Sequence, residues 1–201
     1  MIRHGEAENN VACGCGPFGP IDPALTPAGC RQAMKAGEFL ARSSRKPDLV
    51  VSSILLRAQE TALLAFPDSK VEVAPFISEV YWQQPLLHPN AMPSTGAEQD
   101  DIIEEALGAK CSGRLSRKLV PPAMDDCGPP DWDKFVAWLQ SLPVIRTAME
   151  RSKGGAAQRP LVAMVSHGQF LFRLFRAHGW ECGHPKNLEI NSAALLSLKA
   201  H

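Results

Sequence analysis

The sequence predicts an α/β protein with a mostly parallel central sheet, and three observations carry that prediction. Two short apolar, β-branched runs, Asp48–Ser53 and Pro160–Ser166, each lead directly into a helical pattern, and a strand feeding a helix is the unit from which parallel sheets are built. Two separate stretches, Ile2-Arg3-His4-Gly5 and Met164-Val165-Ser166-His167-Gly168, close a strand on His-Gly. The chain has 201 residues, 45% of them hydrophobic, enough for one sizeable core and too few for two ordinary domains, so a single domain over 1–201 is expected.

Taken in order, Met1 and Ile2 precede Arg3-His4-Gly5-Glu6, and Asn9 to Pro27 is rich in Gly, Pro and Asn. That stretch reads as a long ordered loop, the kind of segment in which function often lives. A helix is expected from Pro27, because Thr26 can cap, proline suits the first helical position, and Ala33, Ala36, Phe39 and Leu40 recur on one face. It should end near Ser43 and Ser44. The strand 48–53 precedes a helix over Ile54–Ala65 that Pro67 stops, and Val71–Ala74 is a further short strand. The segment from Gln83 to Pro130 mixes prolines with an acidic patch (Asp100, Asp101, Glu104, Glu105) and a basic one (Arg114, Arg117, Lys118). It reads as a loop-rich insertion over the sheet, at about 83–130. Trp132–Leu142 places Phe135, Trp138, Leu139 and Leu142 at helical spacing, which is a core face. The strand 160–166 runs into a helix over Gln169–Ala177, and the last strand is expected over Ser192–Lys199.

Charge and cysteine usage narrow the function classes. Lys plus Arg equals Asp plus Glu at 21 each, so no global field draws the chain to nucleic acid or to an anionic membrane, and any anion site is a local cluster. No apolar run approaches the roughly 20 residues of a membrane span, and the N-terminus lacks the layout of a secretory signal; a soluble, cytoplasmic protein is expected. Cys13, Cys15, Cys30, Cys111, Cys127 and Cys182 are scattered without paired C-x-x-C spacing. They read as reduced thiols rather than a zinc site, and neither a metal nor an organic cofactor is expected.

The candidate chemistry gathers at the strand ends. In a parallel sheet these open on one crevice, so His4 and His167 can meet there although far apart in sequence. Gly5 and Gly168 permit close approach of a phosphate to the backbone, and a helix beginning just after His167 aims N–H groups at the same point. Arg57, in the first turn of the helix after Ser52-Ser53, and Arg3, beside His4, supply guanidinium forks for phosphate oxygens. An imidazole held in one tautomer can attack phosphorus and later be released by water. Glu79, after the strand 71–74, is the natural acid for the leaving oxygen, with Tyr81 and Trp82 beside it and Glu98 in reserve. His88, His178, His184 and His201 lack comparable context and are read as surface or packing residues.

Arg3-His4-Gly5-Glu6 resembles the R-H-G-E signature of the histidine phosphatase superfamily. Asp22-Pro-Ala-Leu-Thr-Pro-Ala-Gly29 with Gln32-Ala33 is similar to its D-x-P-L-T-x-x-G-x-x-Q-A, and Ser52-Ser-Ile-Leu-Leu-Arg57-Ala-Gln-Glu-Thr61-Ala62 to its S-S-P-L-x-R-A-x-Q-T-A. Val165-Ser-His167-Gly168 matches its second-histidine motif. The resemblance implies a phosphoglycerate-mutase-like three-layer α/β/α sandwich. It implies that His4 forms a phosphohistidine, that Arg3, Asn10, Arg57, His167 and Gly168 hold the phosphoryl group, and that Glu79 protonates the leaving oxygen. Relatives carry a full apolar strand before R-H-G in the middle of the sheet; here two residues stand in its place, so that first strand is expected to be truncated.

The function this predicts is metal-independent hydrolysis of phosphomonoesters, on a small phosphorylated metabolite or a phosphoprotein. One alternative is mutase-type phosphoryl transfer, for which Arg114, Arg117 and Lys118 are the available extra cations. The other is a phosphate-binding scaffold without turnover. A serine hydrolase built on Ser52, Ser53 or Ser166 is disfavoured, because no G-x-S-x-G elbow is present.

Overall fold

The computed structural model describes residues 1–11, 20–42, 46–79, 89–121, 128–151, 159–179 and 184–187. Strands β1 (Ile2–Arg3), β2 (Leu49–Ser52), β3 (Val71–Val73), β4 (Leu115–Ser116) and β5 (Val162–Ser166) form one sheet in the order β1-β5-β2-β3-β4. Every pairing between them is parallel. The helices are α1 (Glu8–Val11), α2 (Pro27–Ala41), α3 (Leu56–Ala65), α4 (Gly96–Leu107), α5 (Ala109–Ser112), α6 (Trp132–Ser141), α7 (Pro143–Arg151) and α8 (Gly168–Ala177). Short 3-10 turns lie at Pro75–Ile77 and Pro89–Ala91. No helix among the described residues is long and apolar enough to cross a membrane.

Alternation along the strands sorts the core into two layers. Ile2, Val50, Val71 and Val165 face α3 and α4, packing with Leu56, Ala62, Leu63 and Ile103. Val51 and Met164 point the other way, into Phe135 and Leu139 of α6 and Phe170, Leu171, Leu174 and Phe175 of α8. Both faces of the sheet are therefore covered by helices, which is why its strands read as continuous apolar runs. The result is the expected α/β/α arrangement.

Element ends follow local chemistry. The Thr26 hydroxyl accepts the Gly29 N–H at 3.0 Å and starts α2 with proline inside its first turn. Helix α4 stands where the sequence suggested no element, and it opens on a capping box in which Thr95 and Glu98 serve each other's backbone N–H. The same segment also gives the sheet its edge strand β4, paired to β3 through Val71↔Leu115. Among the described residues β1 sits at the opposite edge rather than in the middle, paired only to β5 through Ile2↔Val165 and Arg3↔Ser166. The strand expected over 192–199 lies outside the described residues.

Candidate active site

The register of the central strands places the chemistry. Ser52 pairs with Val165 across β2 and β5, and Arg3 with Ser166 across β1 and β5. The residues that follow, Ser53, His167 and His4, therefore leave three adjacent strand ends together. The rings of His4 and His167 lie with centroids 5.1 Å apart, tilted by 53°. Both are almost wholly buried.

His4 is held in one tautomer. Its Nδ1 stands 2.6 Å from the carbonyl oxygen of Gly5, which can only accept, so Nδ1 carries the proton and Nε2 keeps its lone pair. Arg57 Nε approaches that Nε2 at 3.3 Å, while Arg57 Nη1 donates to the Asn90 carbonyl at 2.8 Å. Burial, with the charges of Arg57 and Arg3, pushes the His4 imidazole well below its ordinary pKa. His167 is lowered in the same direction by burial, then by Arg57, His4 and Arg3. Both rings are thus neutral bases in a positively charged hole.

Arg57 is itself buried and leaves the first turn of α3, whose start is fixed by Asp22. One Asp22 oxygen accepts the Leu56 N–H at 2.8 Å; the other accepts Ser94 N–H at 2.8 Å and Gln99 Nε2 at 2.7 Å. Gln99 and Gln59 both donate to the Ile54 carbonyl. The loop carrying His4 is tied to α3 by Gly5 N–H, which donates to Thr61 Oγ1 at 3.0 Å.

Burial lowers the pKa of Arg3 and of Arg57, and the charge of Glu79 acts on both in the opposite sense. The half-buried Glu79 carboxyl is thereby within Coulombic range of both guanidinium groups. Glu79 follows the turn 75–77, which Ser166 Oγ anchors to the end of β5 by donating to the Ile77 carbonyl at 2.7 Å. Glu98, the reserve acid, is displaced from the chemistry: it is exposed at the start of α4, and the Thr95 backbone and hydroxyl hold its carboxyl below the usual range. Tyr81 and Trp82 lie outside the described residues.

Asn10 lies exposed on α1, where its side-chain oxygen accepts from Ala7 N–H at 3.0 Å and Asn187 Nδ2 at 2.9 Å. Arg3 donates to the Pro185 carbonyl at 2.8 Å, so the segment 184–187 joins Arg3 to Asn10. Gly168 opens α8, yet a side chain there would meet His184 Cε1 at 2.6 Å and the Arg3 guanidinium at 3.2 Å. A larger residue at this position therefore requires the His184 ring to shift. His184 also packs on the Phe172 ring, in keeping with its reading as a surface or packing residue.

The sequence reading did not select Asp22, Gln99, Thr61 or Asn90. Asp22 and Thr61 stood inside recognised motifs and only their roles were missed. Gln99 belongs to the segment that yielded no element. Cys30 and Cys111 are free thiols, whereas Cys13 and Cys15 lie outside the described residues.

Residues 1–84 match the model of the histidine phosphatase superfamily, branch 1. Over 80 residues it is 38% identical to a 2,3-bisphosphoglycerate-dependent phosphoglycerate mutase of Arabidopsis thaliana, covering 38% of this chain and 22% of the mutase. Over 75 residues it is 39% identical to a broad-specificity phosphatase of Saccharomyces cerevisiae, covering 37% of this chain and 32% of that one. The chain thus spans about a fifth to a third of the length of these relatives. Its fold is similar to that of a mycobacterial glucosyl-3-phosphoglycerate phosphatase solved with VO3, at 27% identity and a TM-score of 0.52, covering 94% of this chain and 86% of that one. It is similar also to mycobacterial hydrolase 1, at 27% identity and a TM-score of 0.54 over the same shares of the two chains.

Proposed function

We propose that this chain forms a single histidine-phosphatase-like domain that hydrolyses phosphomonoesters without a metal ion, through a phosphohistidine on His4. The observation that carries the proposal is the state of His4. Its proton is fixed on Nδ1 by Gly5, and its buried, neutral Nε2 lies 3.3 Å from the Arg57 guanidinium.

In the first step the Nε2 lone pair attacks phosphorus, the bond from phosphorus to the ester oxygen breaks, and Glu79 gives its proton to the leaving oxygen. In the second, water attacks phosphorus, the N–P bond breaks, Glu79 takes the proton from water, and orthophosphate leaves. Arg3 and Arg57 neutralise the phosphoryl oxygens throughout and His167 donates an N–H to them, where buried fixed donors act most strongly. Asn10 and the Gly168 N–H complete the proposed phosphate contacts. The mycobacterial phosphatase similar in fold supports a small phosphorylated metabolite as substrate.

Return of the phosphoryl group to substrate, as in the mutase relatives, calls for further free cations. Arg114 instead donates to the Leu63 and Phe66 carbonyls, and Arg117 pairs with Asp100 at 2.6 Å and with Gln59 Oε1 at 2.9 Å. Both serve the structure, which favours hydrolysis.

The test is release of p-nitrophenol from p-nitrophenyl phosphate in EDTA, with acid-labile phosphate trapped on the protein during turnover. His4→Ala should abolish both signals and leave the circular dichroism unchanged. Undiminished turnover in that variant, or turnover lost on chelation, defeats the proposal.

A further inference from the structure

Two neutral histidines share this site, and a neutral imidazole offers one N–H only. For His4 the Gly5 carbonyl decides which nitrogen carries it. For His167 the neighbour is the Ser53 hydroxyl, 2.7 Å from Nε2, and a hydroxyl can either donate or accept.

Hydrogen-bond accounting decides between the two arrangements. Ser53 Oγ also accepts the Leu55 N–H at 3.3 Å, so its own proton needs an acceptor, and Nε2 is the one at hand. With Ser53 donating, His167 carries its proton on Nδ1, and that N–H is the single polar group left over. With Ser53 accepting, both the serine proton and the Nδ1 lone pair are stranded in a buried place. His167 Nδ1 is buried and without a hydrogen-bond partner among the described residues, as is Arg3 Nε. A second stranded buried group costs about 1–3 kcal/mol. An N–H at Nδ1 is also the form that suits an anion, whereas a lone pair there would repel it.

We propose that Ser53 is a positioning residue that donates to His167 Nε2 and thereby fixes the tautomer in which Nδ1–H faces the transferring phosphoryl oxygen. This rests on the phosphatase reading for its consequence, but the tautomer itself does not depend on turnover. The backbone prepares the contact: Ser53 N–H donates to the Val165 carbonyl at 3.0 Å, holding the ends of β2 and β5 side by side. Ser53 and His167 are both fully buried, so water does not compete for either group. The two site histidines are then set in complementary ways, one by an acceptor that leaves a nucleophile and one by a donor that leaves an N–H.

The experiment is a long-range proton–nitrogen correlation spectrum of the ¹⁵N-histidine-labelled full chain at neutral pH, with inorganic phosphate binding measured by calorimetry. The parent should show His167 protonated on Nδ1. Ser53→Ala should shift the ring toward the Nε2–H form and weaken inorganic phosphate by roughly tenfold or more, the loss expected for one hydrogen bond to a charged group. Ser53→Thr, which keeps the hydroxyl, should restore both readings. An Nε2–H ring in the parent overturns the proposal whatever the variants do. An unchanged tautomer and unchanged phosphate affinity in Ser53→Ala overturn it equally. A parent with Nδ1–H and phosphate binding but no turnover would refute hydrolysis and leave the Ser53 role standing.

Discussion

Arg57 Nε approaches Nε2 of His4 at 3.3 Å, and its Nη1 donates to the Asn90 carbonyl at 2.8 Å, so a single guanidinium spans from the candidate nucleophile to the segment opposite. A planar guanidinium holds these two directions in a fixed geometry across its width; a compact ammonium on a flexible stem does not fix them. Arg57→Ala should lower kcat/KM for p-nitrophenyl phosphate by on the order of 10²–10³, the usual cost of one preorganised donor. Arg57→Lys should recover little of it. Steady-state kinetics of the two variants decide, and a lysine variant at parental rate would remove the fork from the argument.

Neutrality of His4 has a pH consequence. Its folded pKa lies well below the ordinary 6.5, through burial and the charges of Arg57 and Arg3. Unfolded chains therefore bind a proton that the folded site refuses, and stability falls as pH drops below about 6.5. His167 acts in the same direction. Proton NMR should show the His4 ring still neutral at pH 6, and His4→Gln should flatten part of the acid loss seen in urea melts between pH 6.5 and 5. A His4 ring titrating at 6.5 contradicts the buried, charge-flanked geometry.

Much of this site was legible because its residues stand at strand ends. The runs 48–53 and 160–166 were apolar enough to read as buried strands, and they appear as Leu49–Ser52 and Val162–Ser166; His4, Arg57 and His167 then followed from topology. What could not be read was pairing over distance. Nothing in the sequence joins Asp22 to Gln99, 77 positions on, because that bond depends on how α4 lands beside α3. Helix α4 itself had a local signal in Thr95-x-x-Glu98, masked by the prolines around it. Glu98 illustrates the cost: taken as a reserve acid, it is a capping residue.

The Asp22 carboxylate joins the start of α3 to Ser94 and Gln99, and so sets the distance that Arg57 bridges. It adopts a φ of 45°, which asparagine tolerates, so Asp22→Asn isolates the change of acceptor. One carbonyl oxygen can still serve Leu56 N–H, but an amide NH₂ then meets the donors of Ser94 and Gln99. A loss of about 2–4 kcal/mol is expected from leaving them unserved, together with a fall in kcat/KM as the Asn90 carbonyl loses its place. Urea denaturation alongside kinetics tests this; a stability change under roughly 0.5 kcal/mol, the range of an ordinary surface substitution, would show the bridge to be incidental.

Gly29 lets α2 rest directly on the loop of the candidate nucleophile. A Cβ there would fall 2.0 Å from the Glu6 carbonyl oxygen, which is backbone and cannot swing aside. Gly29→Ala should therefore cost about 3 kcal/mol or more, at the upper end for overpacking, and should displace His4 enough to lower activity. Gly113 is the control, since it has a φ of −63° and its nearest contact would be 3.8 Å away. Gly113→Ala should be neutral or stabilising by about 0.4–1 kcal/mol. Equal melting temperatures for the two variants would refute the packing argument.

Glu60 provides a pH dependence of opposite sign to the histidines. It is buried within α3, its carboxylate accepts Leu25 N–H at 2.7 Å, and Asp22 and Glu8 add like charge. Burial is the largest cause; with the like charges, and against the Leu25 hydrogen bond, which favours the ionised form, it pushes the pKa from the usual 4.5 up to about 7. Between those values the folded state holds a proton that the unfolded chain has released. The stabilisation is complete below 4.5 and is lost as pH rises through 7. At about 1.4 kcal/mol per pH unit the loss is on the order of 3 kcal/mol. Glu60→Gln keeps an oxygen for Leu25 N–H and removes the titration. The histidine contributions are common to both proteins, so urea melts at pH 5 and pH 8 should show Glu60→Gln gaining stability relative to the parent toward pH 8, by on the order of 3 kcal/mol. A difference between the two proteins that stays the same at pH 5 and pH 8 would refute the Glu60 assignment.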